Sequence, residues 1–162
     1  CDTLIVPCCT AQKLVRIEHP DATISKQTEW EELLPICHGA FVHGRYHRDF
    51  NLEKTGADLR YDNWLQQFHL KDAVYGLYWS NELVGFIAHD ANKLVLHALA
   101  ESQRGRGRAK YWWSAVGSNL LTMGHEDVTS SISASNLSAL NLYSSLGFSF
   151  CQSMDVYHRL IE

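Results

Sequence analysis

The spacing of apolar positions changes along this chain, and the changes mark its elements. Asp2 to Cys8 and Lys13 to Glu18 are short runs rich in Leu, Val and Ile and predict strands, followed by a turn at His19-Pro20-Asp21. From Thr28 the spacing becomes helical. Trp30, Leu33 and Leu34 form a stripe, Thr28 is the expected cap with Glu31 three residues on, and Pro35 predicts an early end or a kink. A second helical stretch over Ala57 to Leu65 places Tyr61, Trp64 and Phe68 on a buried face. Ala73 to Trp79 and Leu83 to Ala88 predict strands joined by a hairpin at Ser80-Asn81-Glu82, and Asp90 to Lys93 turns the chain into a third strand, Leu94 to Ala100. From Gly107 a helix carries Trp112, Val116, Leu120 and Met123 on one stripe and stops at Gly124. Asp127 to Ala134 alternates and predicts a strand. A helix from Asn136 carries Leu137, Leu140 and Leu146 and ends at Gly147, and two strands, Phe148 to Cys151 and Val156 to Ile161, close the pattern.

Composition narrows the reading. A chain of 162 residues with 46% apolar and 20% charged residues is sized and composed as one globular domain. The net charge of −4 gives no basic footprint for nucleic acid, and no run approaches the roughly 20 apolar residues of a membrane span. No secretory signal is read, and the location expected is cytoplasmic. The first residue is Cys1 rather than Met, as expected of a processed or truncated product. Cys1, Cys8, Cys9, Cys37 and Cys151 make no even framework and no Cys-x-x-Cys pair, so reduced thiols are expected. His38, His43 and His47 lack the spacing of a zinc site, and no metal is expected.

The candidate chemistry starts at Arg104-Gly105-Arg106-Gly107-Arg108-Ala109, between a strand and a helix. A helix start leaves backbone N–H groups unpaired and carries positive potential, and the glycines allow positive φ and close approach of the backbone. Such a turn holds phosphate. It is not a P-loop, and Lys110 stands where the dinucleotide fingerprint needs its third glycine. The alternative is an Arg-Gly turn with solvated charges.

The string Arg104-x-x-Gly107-x-Ala109 resembles the Gln/Arg-x-x-Gly-x-Gly/Ala pattern with which GNAT acyltransferases hold the pyrophosphate of acetyl-CoA. Asn136-Leu137-Ser138-Ala139-Leu140-Asn141-Leu142-Tyr143-Ser144-Ser145-Leu146-Gly147-Phe148 resembles the second GNAT motif, Asn-x-x-Ala-x-x-Leu-Tyr-x-x-x-Gly-Phe, at every marked position. The resemblance implies an α/β fold: a mixed, mostly antiparallel sheet flanked by helices. Residues 1–162 would form a single GNAT domain, with the core over 73–161 and acceptor-side elements over 1–72. It implies that strands Leu94–Ala100 and Asp127–Ala134 run parallel and splay apart. Pantetheine would then pair with the backbone of His97, Ala98 and Leu99. The pyrophosphate would lie on Arg104, Gly105, Arg106, Gly107, Arg108 and Ala109, and Asn136 would bond the pantetheine arm.

Transfer of an acetyl group from a thioester to an amine needs a neutral amine, donors for the oxyanion and a proton for the departing thiolate. By resemblance Tyr143 is the general acid, and an ordinary phenol is protonated at neutral pH. Its other reading is a packing tyrosine. The Glu that the family often uses as base is missing from Asn92-Lys93-Leu94. His97 is the one titratable side chain within that strand and stands as candidate base or as a core histidine, with His47 as an alternative. Phe41, Arg45, Tyr46, His47 and Asp49 resemble the Phe-x-x-x-Arg-Phe-His-x-Asp stretch of nucleotide-linked amino-sugar N-acetyltransferases of the TDP-fucosamine type, with Tyr46 in place of Phe. This implies a small-molecule amine acceptor on a nucleotide sugar, with Phe41, Arg45, Tyr46 and His47 as its binding residues. Other GNAT acceptors (a protein N-terminus, lysine, polyamine or antibiotic) and a silent acyl-CoA-binding module stay open, as does oligomeric state, a homodimer included.

Overall fold

The computed structural model describes residues 2–159. In chain order the elements are β1 (Asp2–Thr10), β2 (Ala22–Ser25), α1 (Trp30–Cys37), α2 (Arg45–Arg48), α3 (Lys54–Leu70), β3 (Val74–Trp79) and β4 (Glu82–Asp90). They continue with β5 (Lys93–Leu99), α4 (Ala109–Thr122), β6 (Asp127–Ser130), β7 (Ile132–Ser133), α5 (Leu137–Ser145) and β8 (Ser149–Val156). The strands form one mixed sheet in which β2, β3, β4, β5 and β6 follow in order. Beyond them β1 pairs with β6 and β7 on one edge and β8 on the other. All these pairings are antiparallel except β5–β6. This is the expected α/β architecture of a mostly antiparallel sheet between helices.

Each face of the sheet buries its own core. On one side Trp112, Val116 and Leu120 of α4 and Tyr143 and Leu146, all about 0% exposed, pack on Leu77, Ile87 and Val128. On the other side Leu33 of α1 and Tyr61 and Leu65 of α3 pack on Val74, Phe86 and Leu96. Trp64 and Phe68 join this second core as partly buried side chains. Both hairpin turns use left-handed residues: Ser80 and Asn81 at φ 49° and 69°, then Ala91 at 48°.

One irregularity positions the site. Ala88 pairs with Leu96 and His89 with Leu94, so Val95 is an extra residue in β5. In a regular strand Leu94 and Leu96 would face the same way. The bulge at Val95 sends Leu94 into the α4 core and Leu96 into the α3 core. The parallel ladder to β6 has only two pairs, Lys93–Thr129 and Leu94–Ser130, and ends at this bulge. The Ser130 hydroxyl donates to the Leu94 carbonyl at 3.0 Å beside that last pair.

Several expectations need correction. Lys13 to Glu18 is not a strand. Leu14 and Ile17 pack on the α4 core, Val15 N–H donates to Leu146 O, and the Arg16 side chain reaches Tyr111 O and Ser114 Oγ. Its apolar residues are satisfied by packing on helices rather than by a ladder, and the edge of the sheet is β2 instead. Thr28 does not cap α1. The cap position is Glu29, and the Thr28 Oγ1 is buried without a partner because its methyl group packs over Gly76. Pro35 lies inside α1, which ends two residues later. Met123 and Leu137, assigned to apolar stripes, are exposed just outside and at the start of their helices. Residues 127–134 break at Ser131 into β6 and β7. The two closing strands are one, β8. Tyr157 to Arg159 leave the sheet, and the rest of the predicted Val156 to Ile161 strand lies outside the described residues.

Candidate functional site

Past Leu94, β5 runs on against β4 while the other arm leaves at Ser131 to pair with β1. Between them opens a cleft of about 490 Å³. Val95 to Leu99 line one wall; Ser131 to Ser133 and Asn136 line the other. Phe41, Arg45, Tyr46, Tyr61 and Trp64 close it from the α2–α3 side. The parted strands leave backbone groups on both walls without a ladder partner, which an extended amide chain can bond as an added strand would.

At one end of this cleft stands Arg104, whose Nε donates to Leu99 O at 3.0 Å. Gly105 and Gly107 have φ of +71° and +68°. A Cβ at either would meet nothing within 4 Å, so backbone conformation and not space demands glycine there. No backbone partner within the described residues takes the N–H groups of 105–110, whereas Tyr111 N–H already bonds Arg108 O. The turn therefore presents the open N–H groups that an anion needs. The three arginines are not equivalent. Arg108 lies 3.7 Å over the Trp79 ring and donates to Gln103 Oε1 at 2.7 Å, so it is committed to structure. Arg106 is exposed, and Ala109 opens α4. Asn136 caps α5 through its Oδ1, which accepts from Ala139 N–H at 3.1 Å, while its side-chain amide stays on the cleft wall.

Beneath the point where the strands part lies a polar cluster in an apolar setting. Tyr143 is 0% exposed and meets Phe148 edge-on. Its hydroxyl has no hydrogen-bond partner of good geometry, although Ser130 and Trp113 are its polar neighbours; the Trp113 N–H and the Ser131 hydroxyl are orphaned too. Burial pushes the phenol up to about 12, so it holds its proton. Of these groups only Ser131 lines the cleft, where its hydroxyl is open to a polar occupant. Tyr143 is not itself part of the cleft lining. His97 lines the cleft with its ring edge-on to Trp113 at 5.2 Å. Desolvation holds it down to about 4, so it is neutral at pH 7 and a weak proton acceptor.

The α2–α3 side of the cleft is assembled from side chains. Phe41 stacks on Tyr61 at 4.4 Å, and Arg45 donates to the Tyr46 hydroxyl at 3.2 Å. His47 does not reach the cleft; its Nε2 pairs with Asp58 of α3 at 2.9 Å, fastening α2 to α3. Asp49 pairs with His158 at 2.6 Å, and His38 pairs with Asp62 at 2.7 Å. The Asp62 carboxylate raises the His38 pKa through this hydrogen bond, and burial with the same carboxylate pushes the Cys37 thiol up. Arg48 reaches across to donate to Ser135 Oγ at 2.9 Å. His38 and His47 are thus each taken by a different aspartate, and no group of three or more His, Cys, Asp and Glu among the described residues is arranged for a metal. Nor is any described helix long and apolar enough to cross a membrane. Sequence reading missed the bulge, Arg60, and Asp58 and Asp62 as partners of the histidines. The polar run Ser130-Ser131-x-Ser133-x-Ser135 was a usable signal, since it is too polar for a doubly covered strand.

Residues 46–160 match the acetyltransferase (GNAT) domain, and the chain belongs to that family. Among solved structures it is similar to a GCN5-related N-acetyltransferase from Sphaerobacter thermophilus, with a TM-score of 0.63 and 15% identity over 94% of this chain and 49% of that one. It is also similar to a GNAT-family acetyltransferase from Colwellia psychrerythraea (TM-score 0.59, 17% identity, 92% and 52% covered). A tandem GNAT protein from the clavulanic acid biosynthesis pathway gives 0.56 and 11% over 92% and 50%. The chain spans about half the length of these three proteins. No curated protein matches the sequence.

Proposed function

We propose that this GNAT domain moves an acetyl group from acetyl-CoA to the primary amine of a nucleotide-activated amino sugar of the TDP-4-amino-4,6-dideoxy-hexose type, by direct attack in a ternary complex. One observation carries the reading. The cleft between β5 and residues 131–133 has Arg104 of the phosphate turn on its border and Phe41, Arg45 and Tyr46 in its lining. Donor and acceptor elements thus share one space. The turn 104–109 takes the pyrophosphate, with Arg104 and Arg106 adding charge. Val95 to Leu99 and Asn136 take the amide arm. A backbone N–H near Leu99 serves the oxyanion, and the neutral Tyr143 phenol supplies the proton to the departing thiolate. Water in the cleft carries the amine's proton away, since desolvated His97 is a weak acceptor.

The test is thiol release from acetyl-CoA against a panel of acceptors. Release with TDP-amino sugars and not with polyamines or peptides supports the acceptor; the reverse pattern overturns it. The complete burial of Tyr143 outside the cleft lining favours a second reading, acyl-CoA binding without turnover. Tight CoA binding with no thiol release for any amine would establish that reading.

A further inference from the structure

The outer face of α3 continues the cleft. A hollow of about 610 Å³ lies there, lined by Arg45, Tyr46, Arg60, Asn63, Trp64 and Gln67. Arg45, Tyr46 and Trp64 line the cleft as well, so the two spaces share a wall. The charge in this wall is uncompensated. The Arg60 guanidinium lies 4.3 Å and that of Arg45 5.0 Å from the centre of the Tyr46 ring. Two cations held against one phenol ring repel each other, and neither makes an ion pair with a carboxylate among the described residues. The nearby acids are engaged elsewhere: Asp49 with His158 and Asn51, Asp58 with His47. Glu53 shares a neighbouring hollow with Arg60 but forms no ion pair with it. Arg48, the other basic residue of α2, is spent on Ser135.

Beyond the arginines the lining changes character. Trp64 is half-buried and touches Phe68 at a tilt, 6.2 Å between rings. Asn63 and Gln67 are exposed amides four residues apart, one turn of α3, on either side of it. Two guanidiniums without a carboxylate partner are a site for a diphosphate. An aromatic face flanked by amides that can both donate and accept is a site for a planar base.

We propose that this hollow is the nucleoside diphosphate subsite: the diphosphate bridges Arg45 and Arg60, and the base lies on Trp64 with its edge met by Asn63 and Gln67. The proposal rests on the nucleotide-sugar reading above and extends it to residues outside the cleft. Arg60, and not Arg48, is the second phosphate ligand.

The test is calorimetric titration of thymidine diphosphate into the protein saturated with CoA, so that the turn at 104–109 is already filled. One equivalent should bind. Arg60→Ala should weaken it by about 10-fold or more, the usual scale for a hydrogen bond to a charged group, with CoA affinity and the circular-dichroism spectrum unchanged. The Asn63→Ala/Gln67→Ala double variant should weaken thymidine diphosphate and leave inorganic pyrophosphate unaffected. No binding under saturating CoA, or equal binding by wild type and Arg60→Ala, overturns the subsite. Failure of the subsite is separable from failure of the function. If TDP-amino sugars are acetylated with the same Michaelis constant by wild type and Arg60→Ala, the acceptor stands and the subsite falls. If only unlinked amines are acetylated, both fall.

Discussion

The two walls of the cleft are built from different materials. The proposed donor wall is backbone: a ladder stopped after two pairs by the bulge at Val95, a turn with two left-handed glycines, and N–H groups left open. The proposed acceptor wall is side chain: Phe41 from the turn before α2, and Arg45 and Tyr46 on a short α2 fastened to α3 by His47–Asp58 and to the segment after β8 by His158–Asp49. A backbone site recognises what is constant among ligands, amides and phosphates. A side-chain site is free to change with the acceptor. This division explains how one fold serves many acceptors, and it separates the effects of substitutions.

The largest expected effect is on the donor wall. Gly107→Asp places a carboxylate in the anion turn and should reduce CoA affinity by more than about 100-fold, with the fold retained. Calorimetry with a circular-dichroism control measures it, and unchanged affinity would break the contrast at its root. Next is Tyr143→Phe, which removes one hydroxyl from the core beneath the split. Turnover should fall by roughly 100-fold while CoA affinity holds, the usual scale for a lost general acid. Near wild-type turnover, where chemistry limits the rate, would make Tyr143 a packing residue. On the acceptor wall, Arg45→Ala should raise the acceptor Michaelis constant by about 10-fold, with that for acetyl-CoA unchanged. Equal changes in both constants would show that the walls are not separable.

The smallest effect is on the pH dependence of stability, where a cleft histidine and one outside the cleft differ in sign. His97 titrates near 4 in the folded protein and at the usual 6.5 when unfolded. Between these values the unfolded chain binds more protons, so His97 costs stability as pH falls from 6.5 towards 4. His38 is the opposite case. Its folded pKa is raised by Asp62, so its contribution is complete below 6.5 and is lost as pH rises through the folded value. His97→Leu should therefore reduce the loss of stability between pH 7 and pH 5 by about 1–2 kcal/mol. Urea midpoints at the two pH values give the answer, and identical slopes for wild type and variant refute the assignment.

The same division decides what the sequence reveals. Glycines at 105, 107, 124 and 147 declare themselves, because each holds a left-handed φ that other residues resist. The motif around Asn136 is legible for the same local reason: the side chain caps the helix that follows it. The meander β3–β4–β5 follows from alternation and two short turns. The acceptor wall depends on pairings between residues 11 to 109 apart, such as His47–Asp58 and Asp49–His158, which no local pattern encodes. The bulge at Val95 was equally hidden, since Leu94, Val95 and Leu96 are apolar whichever core they enter. Lys13 to Glu18 misled because an apolar alternation looks alike whether a sheet or a pair of helices receives it.

The position of β1 has a consequence for how the chain reaches this state. The first strand lies between β6–β7 and β8, and its partners Thr129, Ile132 and Val156 are more than a hundred residues downstream. On a ribosome, β3 to β5 can assemble as a local meander while β1 waits unpaired with Ile5, Val6 and Cys9 exposed. The cleft takes shape only when β6 and β7 have been made and have paired with β1. Such high contact order makes this late step slow. Until it is complete, the waiting strand is an open edge, and holding it apart from other chains is the task that a chaperone would have to perform.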